Sequence, residues 1–478
     1  MTADDSVYSF LLAAHPDTPA SKFTIDRTAS YVSTDSTTTV WTGLPGYLDQ
    51  TYYVNFWQPL PEHIWGSYTA AQLLTAEVSA VKPIGWGPYI ITSWTPGENV
   101  LLTRNPNYFR TREGLPRFNQ LEFRFIGSDP NLAITELLVG DCDIVDQATG
   151  LESQVELLIT LADAGLLNLE TTAGTTWEHA DFGIQHITYD DGYDLGDGDR
   201  FDFFSDVRMR QAIAMCLDRQ AVVDTVYYGL SEVLNTYVPQ DHPLYNPAVS
   251  TYPYDPTAAG VLLDEIGWLD PDGDPATPRI SSGVSGIPDG TPLQFRYETT
   301  TAAARMAATQ IMAASAQACG IQIDLGYIPA SEFFADGPDG PIYGRHFDIG
   351  QFAWLTGFVP SCSLYLSEQT PGDPALTWIP IMDPAAGSQN FPSGWGGNND
   401  TGYYNPVYDT ACQNAMTVLY GEAGYESNYA EVLEIYSEGL PSIPLYLRIK
   451  VTASGPTITG YDLDPTAQEM WNIEAFDR

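Results

Sequence analysis

Lysine is scarce: Lys22, Lys82 and Lys450 are the only three in 478 residues. Lys and Arg together number 19 against 61 Asp and Glu, a net charge of −42. A field of that sign repels phosphate backbones and anionic headgroups, and so excludes a nucleic-acid partner. Cysteine is also sparse, with five residues and no C-x-x-C, so no zinc-binding or redox spacing arises. Cys216 and Cys319 lie in helical patterns and read as small buried hydrophobes. Cys362 and Cys412 lie beside polar loops and suit a disulfide in an oxidising compartment. No apolar run reaches the roughly 18 residues a membrane helix needs. The opening "MTADDSVYSF" has no basic region of a leader.

The common catalytic signatures are missing too. None of the lysines follows a glycine, which rules out a phosphate-cradling G-x-x-x-x-G-K-[ST] loop. "GVSG" lacks the second spacing of a nucleophile elbow, and H-E-x-x-H is absent. The histidines are scattered; His179 and His186 come nearest to a cluster and read as structural. Asp270, Asp272 and Asp274 have calcium-loop spacing, but Pro275 stands where the turn needs glycine and Ser281 where a glutamate should close the site. That stretch reads as an acidic surface turn. With so many carboxylates, a pair at glycosidase spacing could arise by chance, and nothing singles one out.

What is present is a large apolar content: 44 % hydrophobic and 12 % aromatic residues, enough for a packed protein of two to four domains. Acidic, lysine-poor surfaces suit secreted proteins and high-salt habitats alike. "TADDSVYSFLLAA" predicts a helix capped by Thr2, with Asp4 and Asp5 in its first turn. "TTTVWTG" and "TYYVNFW" read as strands, and "YIITSW" and "NVLLTRN" as a hairpin around Thr95-Pro96-Gly97. A strand "LEFRFIG", a helix after "SDP" and a short strand "CDIVD" follow, an order that favours a mixed sheet. Helices are expected from Ser205 and through "RQAVVDTVYYG", then in "DPTAAGVLLDEIGW". "PLQFRYET", a helix over 301–319, "GIQIDLGYI" and "FDIGQFAW" form a second β-α-β set, and "IPLYLRIKVTASG" reads as a strand pair. The fold class is α/β, in two lobes.

Aromatic residues gather at loop edges: Trp86, Trp177, Trp354, Phe358, Trp378, Trp395 and Tyr403. Singly, each suits a core plug; together they suit a cleft in which an uncharged or amphipathic ligand stacks. The stretch "FAWLTGF" (352–358), leaving a strand with no charge, poses the same choice.

Eight blocks occur in one order along nearly the whole chain: "TADDSVYSF", "LPEHIWG", "GWGPYIITSWTPGENVLLTRNPNYF", "SDVRMRQAIAMCLDRQAVVDTVYYG", "YDPTAAGVLLDEIGW", "GRHFDIGQFAW", "NNDTGYYNPVYDTAC" and "LPSIPLY". In these the chain resembles the extracytoplasmic solute-binding proteins of ABC transporters, peptide/nickel-type. The resemblance implies a two-lobed periplasmic-binding-protein-like fold with a small extra domain. Residues 1–72 would be the remainder of that domain, 73–176 with 446–478 lobe one, and 177–445 lobe two, with hinge crossovers near Trp177 and Tyr446. It also implies a chain that starts inside the family pattern, its leader and any lipid-anchored cysteine lying upstream.

The implied role is capture of a small solute by hinge closure and its delivery to ABC permease membrane subunits. The protein would act as a monomer outside the cytoplasm, with no catalytic residues, cofactor or metal. By position, Trp354 would face the ligand, and Thr356-Gly357-Phe358 stand where oligopeptide binders carry an aspartate for the peptide ammonium. Asn399 would hydrogen-bond the ligand backbone, flanked by Trp395 and Tyr403. Phe23, or Lys22 beside it, falls near a ligand contact of the small domain, whereas Arg208 and Arg210 read as structural. Oligopeptide is the expected cargo. The missing aspartate admits an oligosaccharide, and a secreted glycoside hydrolase or an adhesive surface protein are the readings from other classes.

Overall fold

The computed structural model describes residues 1–127 and 129–478. The chain divides into two compact units. One holds Met1–Gly150, Leu158–Glu170 and Thr452–Arg478, and the other Leu151–Leu157 and Thr171–Val451.

The first unit opens with α1 (Ala3–Ala14), where the Thr2 backbone N–H donates to Asp5 at 2.6 Å, the reciprocal half of a capping box. Lys22 closes the same helix: its ammonium donates to the carbonyls of Ala13, His15 and Thr18, neutralising the negative end of the dipole. Strands β1 (Thr28–Asp35) and β2 (Thr38–Gly43) pair antiparallel. The second strand read around residues 51–57 does not form. Asp49 accepts hydrogen bonds from the Thr51 N–H and hydroxyl and from Asn55, winding the segment into a short turn at Tyr52–Val54. The expected hairpin does form, as β3 (Tyr89–Thr95) and β4 (Asn99–Arg104), joined through Gly97 at φ 79° and extended by β5 (Gln120–Arg124). Next, α2 (Pro130–Val139) is capped by Asp129 and ends on Gly140 at φ 82°, before the short β6 (Ile144–Val145).

The second unit is built on a mixed sheet. Its strands are β7 (Asn168–Phe182), β8 (Gln294–Thr300), β9 (Gln322–Ile328), β10 (Ile349–Leu355) and β11 (Ser442–Ser454). The sheet order is β9-β8-β10-β7-β11-β6, parallel between β8 and its two neighbours and antiparallel between β10 and β7. The chain passes from one unit to the other inside β7 and inside β11. The segment read as a strand pair is one continuous strand, β11, which runs through Pro444 and has no glycine or Asn/Asp at which the chain could reverse. Residues 177–182 of β7 and 442–447 of β11 are all buried, the mark of central strands covered on both faces.

Helices α3 (Val207–Cys216), α4 (Arg219–Val226), α5 (Pro256–Glu265), α6 (Ala303–Ala316), α7 (Pro406–Met416) and α8 (Tyr425–Gly439) complete the unit. Asp206, not Ser205, caps α3, because its carboxylate accepts the Arg208 N–H while the Ser205 hydroxyl turns back to Asp202. Arg210 is structural as expected: fully buried, it donates to the carbonyls of Gly439 and Leu440 at the end of α8 and to those of Phe204 and Ser205. Arg208 pairs with Asp206 at the surface.

The cysteine reading divides. Cys362 and Cys412 are disulfide-bonded, joining a short turn (Cys362–Tyr365) to α7. Cys216 and Cys319 are buried as expected but are not free hydrophobes: they form a second disulfide across 103 residues. The two helix ends abut here, and the Ser315 hydroxyl donates to the Cys216 carbonyl at 3.0 Å. Helical periodicity accounts for burial without indicating a partner so distant in sequence. Closing a loop of that length restricts the unfolded chain by about 4–5 kcal/mol on the entropic account. Replacing Cys216 and Cys319 together by Ala should therefore lower the unfolding free energy of the second unit by about 2–5 kcal/mol in urea, with Cys142→Ser as a near-neutral control.

Candidate functional site

Strand β10 pairs with β7 so that Trp354 lies opposite Trp177 and Phe352 opposite His179. Directly opposed residues share a face, so this side of the sheet carries Trp177, His179, Phe352 and Trp354 as one aromatic ladder. The ring centroids of Trp177 and His179 lie 4.4 Å apart, those of His179 and Phe352 4.4 Å, and those of Phe352 and Trp354 5.6 Å. Trp177 is buried, whereas Trp354 is half-buried and packs on the core formed by Phe333, Ile342, Phe347 and Phe352. Along the ladder, Trp177 is core and Trp354 stands at its half-buried rim.

Beyond Trp354 the chain leaves the sheet uncharged. The Thr356 N–H still bonds the Thr175 carbonyl at 2.7 Å, while its hydroxyl oxygen is buried without a partner. Gly357 presents its carbonyl to His242 Nε2 at 3.0 Å. Phe358 is 50 % exposed and meets Tyr420 edge-on. Half-buried Trp395 closes over Gly337, where a Cβ would come within 2.1 Å of the indole; any side chain there would displace the ring.

Asn399 and Tyr403 face protein. Asn399 is fully buried: its amide donates to the carbonyls of Leu366 at 3.0 Å and Tyr403 at 2.9 Å, and its oxygen accepts from the Thr401 hydroxyl at 2.7 Å. It organises a turn, which leaves its side chain engaged with the protein. Tyr403 is buried as well, its hydroxyl accepting from Asn405 at 2.7 Å and lying against Gly439. Phe23 belongs to the first unit, exposed, with the Arg27 guanidinium 3.8 Å over its ring. Trp354, Thr356, Gly357 and Phe358 are therefore brought together with Trp177. Asp270, Asp272 and Asp274 each accept a backbone N–H from within their own turn.

On the opposite face of β7 is a group that sequence patterning missed. The Glu178 carboxylate is buried and accepts from Arg305 Nε at 3.1 Å, Arg448 Nε at 2.7 Å and Gln351 Nε2 at 3.2 Å. Burial pushes this carboxyl up, but the Arg305 and Arg448 guanidiniums outweigh it and hold Glu178 below the usual range. A glutamate within the run "TTWEHADF" gives no local sign of its partners, which come from 127 and 270 residues away.

A groove of about 1320 Å³ lies within the second unit and is walled by Asp191, Asp202, Asp264, Trp268 and Met382 among others; another of about 470 Å³ in the first unit runs past Leu121, Cys142 and Phe476. Neither is lined by the expected ligand residues. No helix among the described residues is long and apolar enough to cross a membrane.

An α/β architecture with a mixed sheet, its chain passing between two compact units, is that of the periplasmic solute-binding proteins. The chain belongs to the bacterial extracellular solute-binding proteins, family 5, whose profile matches residues 1–373. It is 27 % identical over 282 residues to the oligopeptide-binding protein AppA of Bacillus subtilis, a match covering 57 % of this chain and 47 % of that protein. The aligned stretch thus spans about half the length of that relative. The structure of the B. subtilis AppA in complex with a nonapeptide is similar at TM-score 0.66 and 20 % identity, over 100 % of this chain and 83 % of that one. NikA of Brucella suis in complex with Fe(III)-EDTA is similar at TM-score 0.71 and 18 % identity, over 100 % and 84 %. Members of this family bind and deliver substrates; they are not enzymes.

Replacing Glu178 by Gln should destabilise the second unit by about 3 kcal/mol or more, because Arg305 would keep a buried charge without its counter-ion. Denaturant unfolding of the variant measures this directly.

Proposed function

We propose that this chain is the solute-capturing component of an ABC importer and that its cargo is a short peptide. Family membership across residues 1–373 is the observation that carries the importer reading. The peptide reading draws support from relatives named for oligopeptides and from the nonapeptide held by the similar AppA structure. The protein works outside the cytoplasm, where its two disulfides would persist, and hands its cargo to membrane permease subunits.

The uncharged rim of Trp354, Thr356, Gly357 and Phe358 sets how such a peptide is held. An ammonium buried there would lack a counter-ion at a cost of several kcal/mol. The peptide is instead held through its backbone and by stacking on Trp354 and Phe358, with its amino terminus left in contact with water. Glycoside hydrolysis finds no support in the family, and an oligosaccharide is the competing cargo that the same aromatic rim would accept.

Calorimetric titration with short peptides, their N-acetylated forms and β-linked oligosaccharides tests this reading. Free and acetylated peptides should both bind, with Kd values within about tenfold of each other, a difference under 1.4 kcal/mol. Binding of oligosaccharides and not peptides would overturn the peptide cargo, and an absolute need for a free amino terminus would overturn the uncharged mode. Trp354→Ala should weaken peptide binding by roughly 30-fold, as loss of an aromatic anchor does, with Phe358→Ala a smaller effect in the same direction.

A further inference from the structure

His242 lies outside the aromatic ladder and is not among the residues proposed to touch cargo, yet its ring reaches the rim. It belongs to the segment 234–250 of the second unit. The start of that segment is fastened to β11, where the Leu234 N–H donates to the Leu445 carbonyl at 3.1 Å. Its far end is fastened to α8. The Asn246 amide donates to the Ala430 carbonyl and to Glu434, each at 3.0 Å, and the Ser250 N–H donates to the Ser437 hydroxyl at 2.9 Å. Between these ends, the buried Tyr237 ring lies 4.9 Å from Tyr436 of α8 and 6.3 Å from Trp177, centroid to centroid. The segment is therefore part of the frame that carries the buried end of the ladder.

His242 stands on this frame in a tight turn. Its N–H donates to the Pro239 carbonyl at 3.1 Å, and its carbonyl accepts from the Tyr245 N–H at 2.9 Å. The ring has two partners: Nδ1 lies 3.1 Å from the Leu244 nitrogen, and Nε2 lies 3.0 Å from the Gly357 carbonyl oxygen. A backbone N–H can only donate and a carbonyl can only accept, so the two bonds fix the tautomer. Nδ1 carries the lone pair and Nε2 the proton. The Leu244 bond orients the imidazole, and the Nε2–H is aimed at the rim, 115 residues further along the chain.

We infer that His242 is a positioning residue for cargo, a role that rests on the binding mode proposed above. Through the Gly357 carbonyl it holds the uncharged rim at the spacing in which Trp354 and Phe358 act on one ligand. The rim begins where β10 ends at Leu355, with the Thr356 N–H still bonded to Thr175 of β7. The space around Gly357 is open: a Cβ there would meet the Val359 carbonyl oxygen at 3.6 Å, an ordinary contact. Packing therefore leaves the Gly357 backbone unfixed, and the bond from His242 fixes it. Tyr420 meets the Phe358 ring edge-on at 5.5 Å, so successive residues of the rim are held from two sides. A site whose parts are held in place before the ligand arrives loses less freedom on binding it. An imidazole in this tautomer donates without placing a charge beside the rim, in keeping with a rim that carries none.

The two ring nitrogens can be tested apart. Asn at this position sets an amide oxygen near the place of Nδ1 and accepts the N–H two residues on, as in an Asx turn, but is too short to reach Gly357. Gln carries an amide N–H out to the place of Nε2 and gives up the acceptor at Nδ1. His242→Asn thus removes the tether and keeps the turn, and His242→Gln does the opposite.

Amide exchange at Thr356 in the unliganded protein, followed by NMR, is one measurement; calorimetric titration with a short peptide and, in parallel, a β-linked oligosaccharide is the other. In His242→Asn, Thr356 should exchange roughly fivefold faster and the bound ligand should be held roughly fivefold more weakly, the effect of one lost hydrogen bond. Its melting temperature should stay within about 2 °C of wild type. His242→Gln should return exchange and affinity to within about twofold of wild type. A histidine that serves only its own turn gives the reverse order, with Asn like wild type and Gln perturbed, and that result would overturn the inference. Faster exchange with unchanged affinity would overturn the role in binding. A wild-type protein that binds the oligosaccharide and no peptide counts against the peptide cargo, not against His242, whose effect is then read on the sugar. If neither variant folds, the 15N shifts of His242 in the wild-type protein decide: an Nε2–H tautomer upholds the tether, and an Nδ1–H tautomer overturns it.

Discussion

The second unit depends on one buried carboxylate. Glu178 sits in the middle of β7 and is held at once by Arg305 from α6, Arg448 from β11 and Gln351 from β10. A charge in that position is tolerated only while its partners stay in place, so the four elements must keep their register together. Because side chains alternate on a strand, shifting β7 by one residue would carry Glu178 into the aromatic ladder and His179 into the arginines. The ion cluster therefore fixes which residues form the ladder. It also decides that Trp177 is buried while Trp354, at the other strand's exit, reaches the rim.

The two faces of β7 solve the same problem differently. On one, two cations offset a buried carboxylate. On the other, Asp181 is buried beside His179, whose Nδ1 lies 2.6 Å from its carboxylate. A chain with 19 basic residues against 61 acidic ones has few cations to place inside, and those it does bury hold structure. Arg210 and Arg219 are spent on backbone carbonyls, at the end of α8 and at Leu234 and Pro444, where no carboxylate is involved.

Most of the elements were legible in the sequence because their signals are local. Gly97, Asp129, Gly140 and Asp255 each set a turn or a cap through a neighbour's backbone. The segment at 51–57 misled because alternation of aromatic residues imitates a strand while Asp49 winds the chain into a turn. The site was legible in part. Trp354 and its uncharged successors could be located, whereas Asn399 and Tyr403 could be placed in the chain but not oriented. Asn399 donates to the Leu366 carbonyl and accepts from the Thr401 hydroxyl, and the Tyr403 hydroxyl accepts from the Asn405 amide. The Glu178 ion cluster and the Cys216–Cys319 bond were invisible for one reason: each joins residues over a hundred positions apart, and no periodicity records that.

The central claim is that an uncharged aromatic rim serves a peptide-capturing protein. Native mass spectrometry of the protein purified without denaturation tests it most directly, since a captured cargo travels with the folded chain. The account predicts bound mass that resolves, on unfolding, into short peptides of mixed sequence. A bound species that resolves into oligosaccharides would contradict it.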